Sequence, residues 1–277
     1  MAMFDLGGRV AVVTGATKGI GLGIARGFAQ QGAKVVVSSR NRADCEAVAN
    51  ALNREYGKGE CIAQGLEFDL GDRDGIQAFA ADAAAAFGGV DILVCNAAVL
   101  WYTGPSAQTP PDLFDRILTV NIQNNFRLCQ AMRPFITARG GGAVTLIGSG
   151  TAHSSSPLVM AYAVAKAGIS HMALCLAEEF APDGIRVNCV APGLIRTPAA
   201  AATVGEAGFD YAAQIAPTGR IGEPEDIAGM VVFLSSDAGG HVTGETLLVD
   251  GGAARLSSGG QTRELSVVAS ERGFIPS

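Results

Sequence analysis

The chain has 277 residues, of which 48% are hydrophobic and 37 are glycines, and its formal net charge is −6. This size and composition suit one large α/β domain with a well-buried core and many tight turns. The acidic balance, with no run of lysine or arginine, argues against a surface for nucleic acid or for an anionic membrane. We therefore expect small-molecule partners.

The cysteines and the apolar stretches indicate the cellular compartment in which the protein is expected. Six cysteines lack C-x-x-C spacing and are expected to be buried free thiols in a reducing compartment: Cys45, Cys61, Cys95, Cys129, Cys175 and Cys189. The first residues do not form a charged region followed by a long apolar run, and no apolar stretch is expected to reach the ~18 residues of a membrane span. These features favour a cytoplasmic protein, and nothing in the sequence indicates a metal site.

Short apolar runs alternate with longer helical patterns along the chain. Strands are predicted at residues 9–14, 34–39, 61–68, 91–95, 143–147, 185–190 and 246–249. Helices are predicted at residues 20–31, 42–55, 73–87, 112–138, 160–180 and 225–234. This alternation predicts an α/β fold with a doubly wound parallel sheet covered by helices on both faces.

One domain accounts for residues 1–252, since no linker or shift in composition divides them. Residues 253–277 are polar and rich in Gly and Ser, with one short apolar stretch at 265–269. They are predicted to be a C-terminal extension, either a mobile tail or an arm that orders on another subunit.

A glycine turn follows the first predicted strand and precedes the first predicted helix, in Thr14-Gly-Ala-Thr-Lys-Gly-Ile-Gly21. Strand, glycine turn and helix place main-chain N–H groups against a pyrophosphate, as in Rossmann-type folds. The spacing is G-x-x-x-G-x-G rather than G-x-G-x-x-G, and the glycines could also serve a tight turn alone. The position after the first strand favours cofactor binding by Gly15, Thr17, Lys18, Gly19, Ile20 and Gly21.

The second predicted strand ends in Ser38-Ser39-Arg40-Asn41, without the carboxylate that usually contacts the ribose of NAD. Arg40, with Lys18 from the glycine turn, would suit a 2′-phosphate by charge and hydrogen bonding. Ser39 and Arg40 are therefore predicted cofactor residues, and NADP(H) is favoured over NAD(H). The alternative is that both cations are ordinary surface residues.

Tyr162 and Lys166 stand four residues apart in the helix predicted at 160–180, so their side chains share one face. A phenol keeps its proton at neutral pH, whereas an ammonium group one turn away favours the phenolate and lowers the pKa. The pair therefore suits general acid/base catalysis. Because Tyr-x-x-x-Lys also occurs by chance, its context decides between a function and a half-buried aromatic beside a solvated lysine.

Several motifs occur in a characteristic order: the glycine turn at 14–21, Asn96-Ala97, Asn121, Ser149, Tyr162 with Lys166, and Pro192-Gly193. Over residues 4–252 the chain resembles the classical short-chain dehydrogenase/reductase family. The resemblance implies an oxidoreductase that interconverts a ketone and a secondary alcohol by hydride transfer, with NADP(H) or NAD(H) as cofactor.

The resemblance also assigns catalytic roles. It implies that Tyr162 is the acid/base, that Lys166 lowers the tyrosine pKa and binds the nicotinamide ribose, and that Ser149 holds the substrate oxygen. Asn121 matches an asparagine in a locally distorted helix whose carbonyl holds a water linked to the lysine. Residues 154–156 are serines too, but they lie in the loop beyond the strand and are ranked below Ser149.

Further cofactor contacts follow from the same resemblance: Asp69 with Leu70 at the adenine, Asn96 with Ala97 beside the cofactor, and Pro192, Gly193, Ile195 and Thr197 near the nicotinamide. Asp69 and Asn96 could instead be turn formers. The family motif Asn-Asn-Ala-Gly here reads Cys95-Asn96-Ala97-Ala98. These two replacements leave the details of cofactor packing in doubt.

The substrate is expected among the loops at 99–102, 150–157 and 194–211, with Trp101, Tyr102, Gly150 and His153 as pocket residues. These loops are apolar and aromatic, and Arg196 is the arginine placed in the third. A neutral ketone or secondary alcohol with a hydrophobic body is favoured. A histidine at such a position is more often a polar loop residue than a catalyst, and this applies to His153.

Two other functions remain open. A 3-oxoacyl-(acyl-carrier-protein) reductase of this family generally has a basic residue in the turn at 181–184, where this chain has Asp183. A non-catalytic nucleotide-binding protein would not need intact Ser149, Tyr162 and Lys166. By resemblance we expect a homotetramer in which the helices at 112–138 and 160–180 pack against their copies.

Overall fold

The computed structural model describes residues 3–100 and 104–254. In these ranges seven parallel strands form one sheet in the order β3-β2-β1-β4-β5-β6-β7. The strands are β1 (Val10–Thr14), β2 (Lys34–Ser39), β3 (Ala63–Glu67), β4 (Ile92–Cys95), β5 (Gly142–Ile147), β6 (Ile185–Pro192) and β7 (Thr246–Val249).

Eight α-helices connect the strands: α1 (Gly19–Gln30), α2 (Arg42–Tyr56), α3 (Ile76–Phe87), α4 (Pro111–Leu118), α5 (Asn125–Thr137), α6 (Met160–Phe180), α7 (Pro198–Ile215) and α8 (Pro224–Ser235). Side chains alternate between the faces of a strand, so β1 and β2 contribute to two cores. Val12 and Val36 pack with α3, α5 and α6, whereas Val13 and Val37 pack with α1, α2 and α8. The predicted doubly wound α/β fold is confirmed.

The strand order reverses between β1 and β4. From β1 the chain builds outward to β3 and then returns to place β4 against the other side of β1. In a doubly wound sheet this reversal leaves a crevice at the carboxyl ends of the two strands, where ligands bind. β1 ends at Thr14 and β4 ends at Cys95, so the glycine turn and the Asn96-Ala97 motif both open into that crevice.

The predicted helix at 112–138 is not one continuous α-helix. A π-helical segment, Thr119–Asn124, separates α4 from α5. The wider π turn releases main-chain carbonyls, and the side-chain amide of Asn125 donates to the oxygens of Asn121 at 2.9 Å and Val120 at 3.3 Å. The local distortion expected at Asn121 is therefore present.

The stretch at 194–211, expected to be a loop, is largely helical. α7 begins at Pro198 and is capped by Thr197, whose hydroxyl oxygen accepts a hydrogen bond from the Ala200 N–H at 3.1 Å. It contains a kink at Gly205, where φ is 63°. An alanine-rich run with a proline at the first helical position explains why the helix forms.

Two expectations about apolar segments are wrong. The stretch Met160–Asp183 is long and apolar enough to cross a membrane, by length and composition. In the fold its α6 part packs on β5 and β6 as a core helix.

All six cysteines are free thiols, but Cys61 and Cys175 are exposed rather than buried, and Cys61 lies just before β3 begins. Most of the predicted extension, residues 255–277, lies outside the described residues.

Candidate active site

A cleft of about 290 Å³ lies at the carboxyl ends of β1 and β4. It brings together most of the predicted cofactor residues from the glycine turn and from the loops after β2, β3, β4 and β6. Those that line it are Gly15, Thr17, Lys18, Gly19, Ile20, Gly21, Ser39, Arg40, Asp69, Leu70, Asn96, Ala97 and Thr197.

The glycine turn is shaped for close approach of its main chain. Gly15 and Gly19 have positive φ values of 64° and 55°, which favour glycine. A Cβ on Gly21 would collide with the main-chain oxygen of Gly15 and the side chain of Asn96. At Gly19 and Gly21 the first turn of α1 therefore presents main chain without a side chain to the cleft, as a pyrophosphate site requires.

Thr14 and Asn96 join the ends of β1 and β4. The Thr14 hydroxyl oxygen accepts hydrogen bonds from the main-chain N–H groups of Asn96 and Ala97, both at 3.1 Å. In return, the Asn96 amide donates to the main-chain oxygens of Thr14 at 2.9 Å and Gly15 at 3.0 Å. Asn96 thus lines the cleft and also holds the glycine turn in place.

The cations predicted for a 2′-phosphate lie together on the rim of the cleft. Arg40 and Lys18 are exposed, and neither is in an ion pair within the described ranges. Glu67, the register partner of Ser39 on β3, is paired with Arg42 at 3.4 Å. The charge of Glu67 is therefore compensated by Arg42, and Asp69 is the carboxylate that lines the cleft.

Ser149 lies beyond the end of β5 and close enough to Tyr162 of α6 to influence the pKa of its phenol. The Ser149 hydroxyl oxygen accepts hydrogen bonds from the hydroxyl of Thr151 at 2.9 Å and its N–H at 3.2 Å. Burial raises the pKa of Tyr162 to about 12, and the nearby Ser149 hydroxyl partly opposes this shift. The phenol is therefore protonated at neutral pH.

Lys166 lies one turn further along α6 and is only 3% exposed. Its ammonium group donates to the main-chain oxygen of Ile147 at 2.5 Å and lies 5.5 Å from the centre of the Tyr162 ring. Burial lowers the pKa of Lys166 to about 8. The expected lowering of the Tyr162 pKa by Lys166 is absent from this structure, because the ammonium is bound to Ile147 and burial dominates at the phenol.

Asn121 is fully buried in the π-helical segment. Its side chain accepts from the Val99 N–H at 2.8 Å and donates to the Val99 oxygen at 2.9 Å, which anchors the loop after β4. Its main-chain carbonyl, predicted to hold a water, accepts a hydrogen bond from Asn125. A carbonyl oxygen has two lone pairs, so the proposed relay through Asn121 stays a prediction.

The residues predicted after β6 divide into two groups. Thr197 lines the cleft, and its methyl group lies 3.1 Å from the position that a Cβ on Gly19 would take. Pro192, Gly193 and Ile195 are not among the cleft-lining residues. Pro192 ends β6, Gly193 donates its N–H to the Val249 oxygen, and the Ile195 side chain is buried in the core, so these residues support the loop.

The substrate loops are described in part, since Trp101 and Tyr102 lie outside the described residues. Gly150 is buried beside the Pro192 oxygen, in the short 3-10 turn that follows Ser149. His153 ends that turn, half-buried, and its Nε2 is buried without a hydrogen-bond partner in the described part of the chain.

Arg196, in the third substrate loop, is engaged on three sides. It pairs with Glu206 at 3.2 Å and Glu223 at 3.6 Å, and its guanidinium lies 4.6 Å from the centre of the Phe209 ring. Its charge is thus compensated by two carboxylates of the protein.

Several residues that line the cleft were not predicted as cofactor residues, although three of them, Val99, Pro198 and Ala199, lie in the predicted substrate loops. Seven further residues line the cleft: Thr14, Phe68, Ala98, Val99, Val120, Pro198 and Ala199. Thr14, Phe68 and Ala98 directly adjoin predicted cofactor residues, so proximity to the motifs could have found them. Val120 gave no such signal, because the π-helical segment brings it to the cleft from a distant part of the sequence.

Comparison with known proteins places the chain among oxidoreductases. The family described as enoyl-(acyl carrier protein) reductase matches residues 15–254. Dehydrogenase/reductase SDR family member 4 from Sus scrofa is 39% identical over 247 residues, which cover 89% of this chain and 87% of the relative.

Two solved structures resemble the fold closely. A gluconate 5-dehydrogenase from Burkholderia cenocepacia, in complex with NADP and tartrate, has a TM-score of 0.84 at 31% identity, covering 91% of this chain and 97% of its own. A 7α-hydroxysteroid dehydrogenase, complexed with NADH and 7-oxo glycochenodeoxycholic acid, has a TM-score of 0.83 at 34% identity, covering 90% and 96%.

Replacement of the buried lysine should stabilise the protein. Because the pKa of Lys166 falls from 10.5 to about 8 on folding, its charge costs roughly 3 kcal/mol below pH 8. Between pH 8 and 10.5 the unfolded chain binds more protons than the folded one, so this cost disappears as the pH rises. Urea unfolding of Lys166→Met without added nucleotide should show greater stability than wild type at pH 7, by about 2–3 kcal/mol, and a shrinking difference toward pH 10.

Lys34→Met is the control, because it removes an exposed ammonium from the start of β2. It should not reproduce the gain at pH 7. A Lys166→Met variant that is less stable than wild type at pH 7, or whose gain does not change with pH, would contradict the inferred cost of burial.

Proposed function

Since the chain belongs to the classical short-chain dehydrogenase/reductase family, we propose that it is an NADP(H)-dependent enzyme that interconverts a ketone and a secondary alcohol, with Tyr162 as the general acid/base. Members of the family act on CH–OH and C=O groups with nicotinamide cofactors. The observation that carries the proposal is the grouping of Ser149, Tyr162 and Lys166 at the carboxyl end of β5, the strand beside β4, whose own end forms the glycine-turn cleft. The three residues, including the predicted cofactor residues Tyr162 and Lys166, are not themselves among the residues that line this cleft.

The cleft fits a dinucleotide, because a Cβ would fill the cradle at Gly21 and because Arg40 and Lys18 stand on its rim. The residues that would hold the cofactor are those of the glycine turn, the ends of β2 and β3, Asn96 and Thr197. When bound, the nicotinamide supplies or accepts the hydride.

Tyr162 and Ser149 would handle the substrate oxygen. With its pKa raised to about 12, the Tyr162 phenol keeps the proton that a developing alkoxide needs, so it is set as the acid for carbonyl reduction. The Ser149 hydroxyl, which lies close to Tyr162, would hold the same oxygen. Oxidation requires the phenolate, which the Lys166 ammonium would stabilise once it turned from the Ile147 carbonyl toward the phenol.

Arg40 and Lys18 support NADP(H) as the cofactor. Both cations lack an ion-pair partner among the described residues, whereas the nearby Glu67 is paired with Arg42. A doubly charged 2′-phosphate would find donors there, and a ribose hydroxyl would find no free carboxylate at the end of β2. The similar structures include one with NADP and one with NADH, so the preference rests on the charges of this chain.

A neutral carbonyl compound is the proposed substrate. Arg196 is engaged by Glu206 and Glu223, so it offers no uncompensated charge to a substrate carboxylate. The similar structures are those of a gluconate 5-dehydrogenase and a hydroxysteroid dehydrogenase. The compensated arginine favours a hydrophobic ketone over a sugar acid.

An acyl-carrier-protein reductase is the second candidate, because the matching family carries that description. Docking of an acidic carrier needs positive charge near the turn at 181–184. Arg133 lies there, but it is paired with Asp183 at 2.6 Å and Glu179 at 2.9 Å. Two carboxylates around one guanidinium leave that surface negative, which disfavours this candidate.

Tyr162→Phe should abolish turnover, because it removes the proton that the reaction transfers. The expected loss in kcat is about 10²–10⁴-fold, with NADPH affinity close to wild type. The measurements are NADPH absorbance with a panel of ketones, and cofactor binding by fluorescence. Tyr56→Phe, at the end of α2, is the matched control.

Retained turnover in Tyr162→Phe would refute the assignment of the acid/base. If the wild type bound NADPH but turned over no ketone or alcohol in a wide panel, a non-catalytic nucleotide-binding role would replace the enzymatic one.

Arg40→Asp should shift the cofactor preference toward NADH, because it removes a phosphate partner and adds an acceptor for the ribose hydroxyls. The ratio of kcat/KM for NADPH to that for NADH should fall by about tenfold or more, which corresponds to ~1.4 kcal/mol. Arg54→Asp, the same charge change at an exposed residue in the last turn of α2, controls for long-range electrostatics. An unchanged ratio would remove Arg40 from the site.

We also propose that the protein is cytoplasmic and assembles as a homotetramer. A groove of about 570 Å³ lies between the π-helical segment, α5 and α6. Its apolar lining comes from Ile122, Phe126 and Met172, and its polar lining residues are Gln123, Arg127, Gln130 and His171. Phe126 is 37% exposed, and Leu174 on α6 is 53% exposed. Packing of a second copy would bury this surface.

Sedimentation velocity tests the assembly. The expected mass is four times that of the chain, and Phe126→Asp should shift the protein toward smaller species by placing a charge in the groove. A wild type that sediments only as a monomer would refute the tetramer.

A further inference from the structure

We propose that Asn124 is a positioning residue for the adenosine half of the bound dinucleotide. It acts by holding the main chain of Leu70 in the wall of the cleft, and Arg127 fixes the orientation of the Asn124 amide. The inference rests on the proposed dinucleotide function of the cleft. It concerns a different element from the predicted motifs, namely the π-helical segment Thr119–Asn124 and the first turn of α5.

The loop after β3 forms one wall of the cleft through Phe68, Asp69 and Leu70. Phe68, the first residue of this loop, is held by β2 and α3. The Phe68 N–H donates to the Ser39 oxygen at 2.9 Å, and its ring stacks on Phe79 of α3 with 4.2 Å between the ring centres.

Beyond Phe68 the loop turns sharply on local hydrogen bonds. The Asp69 carboxylate accepts from the Gly71 N–H at 2.8 Å, and the Asp69 oxygen accepts from the Asp72 N–H at 2.8 Å. Such a turn fixes its own shape, but these bonds do not attach it to the rest of the fold.

Asn124 makes that attachment. It is fully buried, and its side-chain amide donates to the main-chain oxygen of Leu70 at 2.7 Å. Leu70 is itself only 3% exposed. In the low-dielectric interior this bond is strong, and loss of the amide would leave the Leu70 carbonyl without its partner.

Arg127 decides which way the Asn124 amide points. Its guanidinium donates to the Asn124 Oδ1 at 2.9 Å. Arginine can only donate and the Leu70 carbonyl can only accept, so a flipped amide would lose both hydrogen bonds. The amide therefore has one orientation, and the Leu70 carbonyl has one position.

The π-helical segment consequently holds two walls of the cleft. Asn121 anchors Val99 on the substrate side, and Asn124 anchors Leu70 on the side of β3. Because Asn121 and Asn124 bind different loops, loss of Asn124 should act on the adenosine end and spare the reacting end. This separation distinguishes positioning from a general structural role.

The test uses Asn124→Ala and Arg127→Met in the full-length protein, with adenosine 2′,5′-bisphosphate as the probe of the adenosine half. For Asn124→Ala we expect about a tenfold weaker Kd for the probe and a similar rise in the KM for NADPH. For Arg127→Met we expect about a threefold change in the same direction. In both variants kcat at saturating NADPH and the KM for the carbonyl substrate should stay within about twofold of wild type.

Asn53→Ala is the matched control. Asn53 binds the main chain at the start of β3, with hydrogen bonds of 2.9 Å to the Ala63 oxygen and 2.8 Å from the Ile62 N–H. The variant loses a comparable amide at the opposite end of the same strand. It should be less stable than wild type but bind the adenosine probe normally.

Each result supports or overturns the inference. Unchanged probe affinity in Asn124→Ala, or a kcat that falls as much as the affinity, would overturn it. If Asn124→Ala does not fold, Arg127→Met decides by the same measurements. If the wild type does not bind the probe, both the proposed NADP(H) site and the inference are overturned. If the wild type and the variants bind the probe with the same affinity, the inference alone is overturned.

Discussion

The site depends on the reciprocal hydrogen bonds between Thr14 and Asn96, where β1 and β4 end side by side. Neighbouring parallel strands bring these two residues together although 82 positions separate them in the chain. These hydrogen bonds pair main-chain groups at the ends of the two strands, and they hold the glycine turn against the loop that follows β4. A cleft with a main-chain floor forms at the strand-order reversal for this reason.

Burial, rather than charge pairing, governs the electrostatics of the reacting end. Lys166 and Tyr162 both lie in surroundings that disfavour their charged forms, so the pKa of the lysine falls and that of the tyrosine rises. A buried ammonium held by a carbonyl is costly for stability. Active sites commonly keep such a cost, because a group that is already desolvated interacts more strongly with a ligand charge.

Patterns in the sequence predicted the sheet, most of the helices and the glycine turn, because strand alternation and glycine turns are local signals. The resemblance to the family predicted other residues that line the cleft, among them Asp69, Asn96 and Thr197. They did not predict α7, whose alanine-rich run lay in an expected loop, or the break at Asn121 in an otherwise continuous helical pattern. Residues such as Val120, Asn124 and Arg127 carried no signal, since their role comes from contacts with loops distant in sequence.

The sequence by itself determined the fold class, the glycine turn and the position of Tyr162 and Lys166 on one face of a helix, because each follows from local geometry that residue types impose. The family resemblance then singled out Ser149. Only the tertiary structure decided the protonation preferences of Tyr162 and Lys166, the engagement of Arg196 by two carboxylates, and the anchoring of both cleft walls by one π-helical segment. Desolvation and long-range hydrogen bonds depend on what surrounds a side chain after folding, and no spacing along the chain encodes those surroundings.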